Sequence, residues 1–267
     1  MAGSTKVNAG GGRLQTVVRK TIGPIFRSMF RLTIVGSENL PDSGPAIIAA
    51  NHTSVLDSFI VPAVLPRNIS YVGKAEYLDD WKTKHIFPAL GMIPIDRSGG
   101  DAALAALDTA AELLDAGQLF GIYPEGTRSR TGHLYKGRTG VARLSHRTGA
   151  PIVPVGLIGM REIQPPDAPL PRPFTEATIS FGQPLWPDEH GDPAVDPTAC
   201  RAMTDALMFR IQNLSGQKYI NRYAPSKAEL DAESVVTGST ATERSDVVGE
   251  RPLVDARTAS DLLNARS

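Results

Sequence analysis

Cysteine is almost missing from this chain of 267 residues: Cys200 stands alone. No disulfide framework or cysteine metal site can form within one chain, and a reducing compartment is the setting that this composition suggests. No apolar run comes near the ~18 residues that a membrane-spanning helix needs. The polar, glycine-rich residues 1–12 do not read as a secretory leader, so the chain is expected not to be exported. A G-x-x-x-x-G-K-[ST] loop is absent, which argues against nucleoside triphosphate chemistry. A G-x-S-x-G elbow is absent too, which argues against a serine hydrolase. His85, His133, His146 and His190 are scattered, with no ligand spacing that would hold a metal ion.

What is present is unevenly spread. The formal net charge is zero, and no nucleic-acid partner is expected. Residues 1–37 hold Lys6, Arg13, Arg19, Lys20, Arg27 and Arg31 and no acid, whereas residues 224–267 set eight carboxylates against five cations. Residues 1–12 and 223–267 read as disordered flanks; the latter has no aromatic side chain after Tyr223. Between them, Leu14, Val17, Val18, Ile22, Ile25, Phe26, Met29 and Phe30 recur at three- and four-residue spacing. That is one apolar helical stripe over residues 13–31, kinked or split at Gly23-Pro24. Because Phe26, Met29 and Phe30 fall in a purely cationic stretch, the stripe is read as a membrane-interface segment; packing on the protein's own sheet is the alternative.

Over 32–222 the pattern alternates. Strands are predicted at 32–35, 46–50, 69–72, 92–95, 119–123, 152–157 and 177–181. Helices are predicted at 54–64, 81–90, 101–116, 139–148 and 197–213. Such alternation predicts an α/β domain with a mostly parallel central sheet flanked by helices. The proline-rich residues 161–175 read as a long surface loop.

Three segments follow apolar strands and so fall where open α/β sheets bind ligands. The first is Asn51-His52-Thr53-Ser54-Val55-Leu56-Asp57. Ser54 and Asp57 have the spacing of a helix-capping pair. His52 and Asp57 can also meet if His52 lies in the loop and Asp57 in the first helical turn, so that the carboxylate fixes the imidazole tautomer. The second is Tyr123-Pro124-Glu125-Gly126-Thr127-Arg128-Ser129-Arg130, followed by Lys136 and Arg138. It is either a solvated charged loop or an anion clamp, since the guanidinium fork suits phosphate. In that loop Glu125 would orient an arginine or accept from a glycerol hydroxyl. The third is Gly91-Met92-Ile93-Pro94-Ile95-Asp96-Arg97, a strand ending in an acid–base pair. Lys74 is a lone cation at the same predicted edge.

Taken together, these segments resemble the glycerolipid acyltransferase family, and within it the bacterial 1-acyl-sn-glycerol-3-phosphate acyltransferases. The family's N-H-x-x-x-x-D block is matched by Asn51, His52 and Asp57, and its G-x-x-P-x-x-R block by Gly91, Pro94 and Arg97. Its E-G-T-R block is matched by Glu125-Gly126-Thr127-Arg128, and its V-P-V block by Val153-Pro154-Val155. The resemblance covers roughly residues 30–215.

The resemblance implies a transfer of a fatty acyl group to the hydroxyl of 1-acyl-sn-glycerol 3-phosphate. His52 would be the general base and Asp57 its partner. Lys74, Arg97 and Arg128 would hold the acceptor phosphate, while Glu125, Gly126 and Thr127 would build the loop and contact glycerol. A backbone N–H near Pro154-Val155-Gly156 would serve the oxyanion. No cofactor is expected beyond acyl-CoA or acyl-ACP as co-substrate. The expected partners are a lysophospholipid, the membrane surface at the cytoplasmic face, and an acyl carrier protein as donor. Other acceptors, such as glycerol 3-phosphate, and a non-catalytic lipid-binding protein are the competing readings.

Overall fold

The computed structural model describes residues 12–74, 91–95, 102–166, 168, 170–194, 196, 198–226, 228–230 and 232. The helix expected at 81–90 lies outside the described residues. The chain divides into two units, Met1–Ala224 and Pro225–Ser267. In the second, Ser226 and Glu229 exchange backbone and side-chain hydrogen bonds as a reciprocal helix cap. All that follows concerns the first.

Its strands are β1 (Leu32–Val35), β2 (Ala46–Ala50), β3 (Ile69–Lys74), β4 (Met92–Ile95), β5 (Leu119–Ile122), β6 (Leu134–Tyr135), β7 (Ile152–Ile158), β8 (Ala177–Phe181) and β9 (Tyr219–Ile220). Its helices are α1 (Gly12–Met29), α2 (Asp57–Val64), α3 (Ala102–Asp115), α4 (Gly140–Thr148), α5 (Met160–Ile163) and α6 (Ala199–Ser215). Seven strands form one sheet in the order β1-β8-β7-β2-β5-β3-β4, and β6 pairs with β9 apart from it. β2, β3, β4, β5 and β7 are mutually parallel. β8 lies antiparallel to β7 and carries β1 parallel to itself.

Sequence dictates why β2 is central. All five of its residues are buried, as expected of a strand covered on both faces. Ala46, Ile48 and Ala50 enter the core beneath α1 and α2, while Ile47 and Ala49 enter the core beneath α3, α4 and α6. The two faces follow from the period of two along a strand. The predicted mostly parallel α/β architecture is the observed one. Its errors are small: α2 starts at Asp57 rather than 54, and the proline-rich loop opens with the short helix α5.

Of the kinked and split readings of the N-terminal segment, the split one does not hold: α1 is one helix with Pro24 inside it. Gly23 lets α1 lie against α2: a Cβ there would come within 2.4 Å of the Ala63 carbonyl oxygen. The apolar stripe also faces inward over part of its width. Phe30 is buried in the core, and Phe26 and Met29 pack against that core. These three residues, expected at the membrane, are therefore bound up in the protein's own packing. Two cations are occupied as well. Arg19 and Arg27 donate to the carbonyls of Leu65 and Val64 at the end of α2, where unpaired helix carbonyls favour positive charge.

The outward side of α1 carries Leu14, Val17 and Ile25, each 57% exposed. At 100° per residue these three fall within about 80° of arc, with Arg13 and Lys20 together along one border of it.

Replacing Gly23 with Ala should destabilise the protein by roughly 1–3 kcal/mol, because backbone of α2 must move to admit the methyl group. Ile25→Ser on the opposite face should change stability by no more than about 0.5 kcal/mol. Denaturant unfolding of the two variants checks the contrast.

Candidate active site

β2 and β5 are paired in parallel with Ala49 opposite Ile122. The segments that follow them therefore leave the same sheet edge side by side. One begins Asn51-His52, the other Tyr123-Pro124-Glu125. Asn51 is fully buried and spends its amide on the sheet. It donates to the Leu157 carbonyl (3.0 Å) and to Gln217 Oε1 (2.8 Å), and accepts from the Leu157 N–H (2.7 Å). That ties the end of β2 to β7 and fixes where His52 emerges.

The imidazole Nδ1 of His52 lies 2.8 Å from Asp57 Oδ2. The same oxygen accepts the backbone N–H groups of Thr53 (2.8 Å) and Ser54 (2.9 Å). Half of the capping reading thus coexists with the catalytic one: the carboxylate reaches back to Ser54, while Ser54 Oγ turns to the Leu56 N–H instead. Asp57 is fully buried in the first turn of α2. A buried carboxylate needs hydrogen-bond donors around it, and three converge on this oxygen. Because the ionised carboxylate accepts only, Nδ1 of a neutral His52 carries the proton and Nε2 presents its lone pair.

Tyr123 completes the seat. Its ring stacks on the imidazole with centroids 3.8 Å apart and planes 8° from parallel. Its hydroxyl lies 3.1 Å from Ser58 Oγ, and Tyr71 stacks behind it at 5.9 Å. Burial pushes both phenols well above the usual tyrosine range, so both stay neutral. The sequence offered Tyr123 only as the last residue of a strand; nothing in its spacing signalled contact with a histidine 71 positions earlier.

Glu125 contradicts expectation. It is 1% exposed and, among the described residues, makes no ion pair with an arginine. Its Oε1 accepts the backbone N–H of His52 (3.2 Å) and its Oε2 that of Tyr135 (2.9 Å). Ser129 then closes the loop by donating its N–H to the His52 carbonyl (2.7 Å). Residues 125–129 thereby grip both backbone groups of His52. Glu125 thus braces the backbone on either side of the site. Burial pushes its carboxyl up to about 7, against the pull of its two N–H donors and with a further push from the Asp57 charge.

The remaining residues divide by position. Gly126 and Thr127 form the exposed tip of the loop. Gly126 has φ of 77°, and a Cβ there would come within 2.9 Å of Arg138 Nε, so glycine is required twice over. Arg128 is half-buried and, among the described residues, makes no ion pair. With Arg130 and Ser129 it lines one wall of a cleft whose other walls are Thr53–Val55 and the segment Gln164, Pro165, Pro166 and Ala168. The cleft therefore adjoins the residues that follow His52. Lys74 ends β3 at the same edge, opposite Ile95. Arg97 lies outside the described residues. Pro154, Val155 and Gly156 sit inside β7, paired with β2 on one side and β8 on the other. That interior position, rather than the sheet edge, sets them apart from a loop that offers free N–H groups to an oxyanion.

The chain is similar to known acyltransferases. Residues 31–158 match the family model described as Acyltransferase. That span contains His52, Asp57, Glu125 and Arg128. Over 137 residues the chain is 30% identical to the chloroplastic 1-acyl-sn-glycerol-3-phosphate acyltransferase LPAT1 of Arabidopsis thaliana, covering 51% of this chain and 38% of that protein. It is 29% identical over 127 residues to the 1-acyl-sn-glycerol-3-phosphate acyltransferase of Borreliella burgdorferi, covering 48% and 51% respectively. The chain thus spans less than two thirds of the length of these relatives. In fold it resembles the crystal structure of the 1-acyl-sn-glycerophosphate acyltransferase PlsC from Thermotoga maritima, with a TM-score of 0.58 and 21% identity. The likeness covers 75% of this chain and 76% of that one.

The brace generates a pH signature. A carboxyl raised to about 7 in the fold stabilises it only while neutral, so that stability is complete below the unfolded value and fades as pH rises through about 7. Relative to Glu125→Gln, which cannot ionise, the native protein should lose ~2 kcal/mol between about pH 5 and about pH 8. A stability difference independent of pH contradicts the assignment.

Proposed function

We propose that this chain, which carries an Acyltransferase-family domain over residues 31–158, moves a fatty acyl group from a thioester to the hydroxyl of 1-acyl-sn-glycerol 3-phosphate, making phosphatidate. The observation that carries the reading is the His52–Asp57 pair at 2.8 Å, beside a cleft that Arg128 helps to wall. The names of the relatives support the same acceptor.

In this reading His52 Nε2 takes the proton from the acceptor hydroxyl as its oxygen attacks the thioester carbonyl. Asp57 keeps the ring in the tautomer that leaves Nε2 free and stabilises the imidazolium. When the tetrahedral centre collapses, the C–S bond breaks and the imidazolium returns its proton to the departing thiolate. The balance is one ester and one thiol from one thioester and one alcohol. Arg128 holds the acceptor phosphate, with Lys74 at the end of β3 as a further cation of the same edge, so that the hydroxyl is presented to His52. The donor is acyl-CoA or acyl-ACP.

Among the described residues, no helix is long and apolar enough to cross a membrane. Contact with the lipid surface is assigned instead to the outward face of α1, where Leu14, Val17 and Ile25 enter the interface and Arg13 and Lys20 meet anionic headgroups. The protein would then be peripheral.

A lipid-product assay with one thioester and a panel of lysolipids tests the activity. His52→Ala should lower kcat by about 10²–10⁴-fold with an unchanged fold; turnover near the native rate would refute the mechanism. Arg128→Ala should act chiefly on the KM of the phosphate-bearing acceptor, and an effect on the donor alone would contradict its role. Serine at positions 14, 17 and 25 together should release the protein from sedimenting vesicles, leaving the thermal transition in place.

A further inference from the structure

The loop between α5 and β8 leaves and re-enters the sheet at the edge where His52 sits, since β7 ends there and the antiparallel β8 begins there. In its first part, Gln164, Pro165, Pro166 and Ala168 wall the cleft. Its second part, Leu170-Pro171-Arg172-Pro173-Phe174, does something different. Leu170 is 75% exposed and Phe174 67% exposed, with Arg172 exposed between them. Two prolines among five residues limit the backbone and reduce the entropy lost when the loop binds.

Phe174 is the unusual member. Its φ is 62°, a left-handed conformation that glycine adopts freely and a bulky residue adopts under strain. Its backbone N–H is held by the carbonyl of Met29, the last residue of α1, at 2.6 Å. The strained backbone turns a large apolar ring out into water rather than into the core. Val55, on the cleft wall, and Ile158, at the end of β7, are 40% and 44% exposed at the same edge. Single exposed apolar residues need no explanation. Four at one edge, around a cleft and joined by a hydrogen bond to the end of an amphipathic helix, call for a covering surface.

We propose that Leu170 and Phe174 form a membrane-inserting lip, with Arg172 at the headgroup level, that seats the mouth of the cleft on the lipid surface. A bilayer is the occupant that fits, because the lip continues α1 through Met29 and combines an aliphatic, a cationic and an aromatic side chain on one short segment. The lip gives the cleft an entry from the bilayer, so that a lipid acceptor slides headgroup-first toward Arg128 without crossing water. It rests on the acyltransferase reading only for the identity of that lipid.

The test compares the full chain with L170S/F174S and with F174G, using vesicles of equal parts phosphatidylglycerol and phosphatidylcholine and, separately, a water-soluble short-chain lysophosphatidate. The double variant should bind vesicles at least about tenfold more weakly while turning over the soluble acceptor at the native rate. F174G should also bind more weakly, yet melt at or above the native temperature, because glycine relieves the strain at φ of 62°. Native vesicle binding by both variants would overturn the proposal. So would an equal loss with the soluble acceptor, or a loss confined to transfer from an acyl carrier protein, since the loop would then serve the cleft or the carrier. If the native protein acylates no soluble acceptor but vesicle binding still depends on Leu170 and Phe174, the acyltransferase reading fails and the lip stands.

Discussion

One imidazole is held from four directions, and the site is organised around that restraint. Asp57 takes the Nδ1 side of His52, Tyr123 covers one face of the ring, and Glu125 and Ser129 fix the backbone N–H and C=O. The partners come from two segments about 70 residues apart in the chain. Only the parallel register of β2 with β5 makes them neighbours. A slip of one residue in that pairing would turn every side chain of β2 to the other face and carry His52 off its seat. The buried central strand, with Ile47 and Ile48 packed in opposite cores, is thus what makes the chemistry geometrically possible.

Two buried carboxylates stand beside this ring and behave differently. Asp57 gathers three donors on one oxygen. Glu125 gathers two, and burial together with the neighbouring Asp57 charge pushes its carboxyl up to about 7. Divergent environments for paired acids are a common mark of sites that handle protons. Here the division of labour is spatial. Asp57 meets the ring of His52, whereas Glu125 meets the backbone. The cation-bearing part of the same loop lines the cleft, so one short segment both braces His52 and sets Arg128 in the cleft wall.

Much of this was legible in the sequence, for identifiable reasons. The strands announced themselves because runs such as Ala46–Ala50 and Ile152–Ile158 are continuously apolar and bounded by turn residues. The His52–Asp57 pairing was legible because its five-residue spacing is local. Three things were not legible. The stripe on α1 is wide enough to serve two surfaces, and periodicity reports an apolar arc without saying what covers it; Phe30 went to the core and Leu14 to the outside. Glu125 looked like a charged loop residue because its partners are backbone groups of His52 and Tyr135, which no composition rule can see. β6 and β9, two residues each, are shorter than any pattern can register.

The tautomer of His52 is the most direct test of the central restraint. ¹⁵N NMR of the histidine-labelled protein, with the His52 signal assigned by its loss in His52→Gln, reads the protonation of each ring nitrogen. At a pH where the ring is neutral, the account predicts a proton on Nδ1, hydrogen-bonded to Asp57, and a bare Nε2. A proton resident on Nε2 would leave the ring's one lone pair on Nδ1, turned toward Asp57 and away from any acceptor hydroxyl, and would contradict the account at its root.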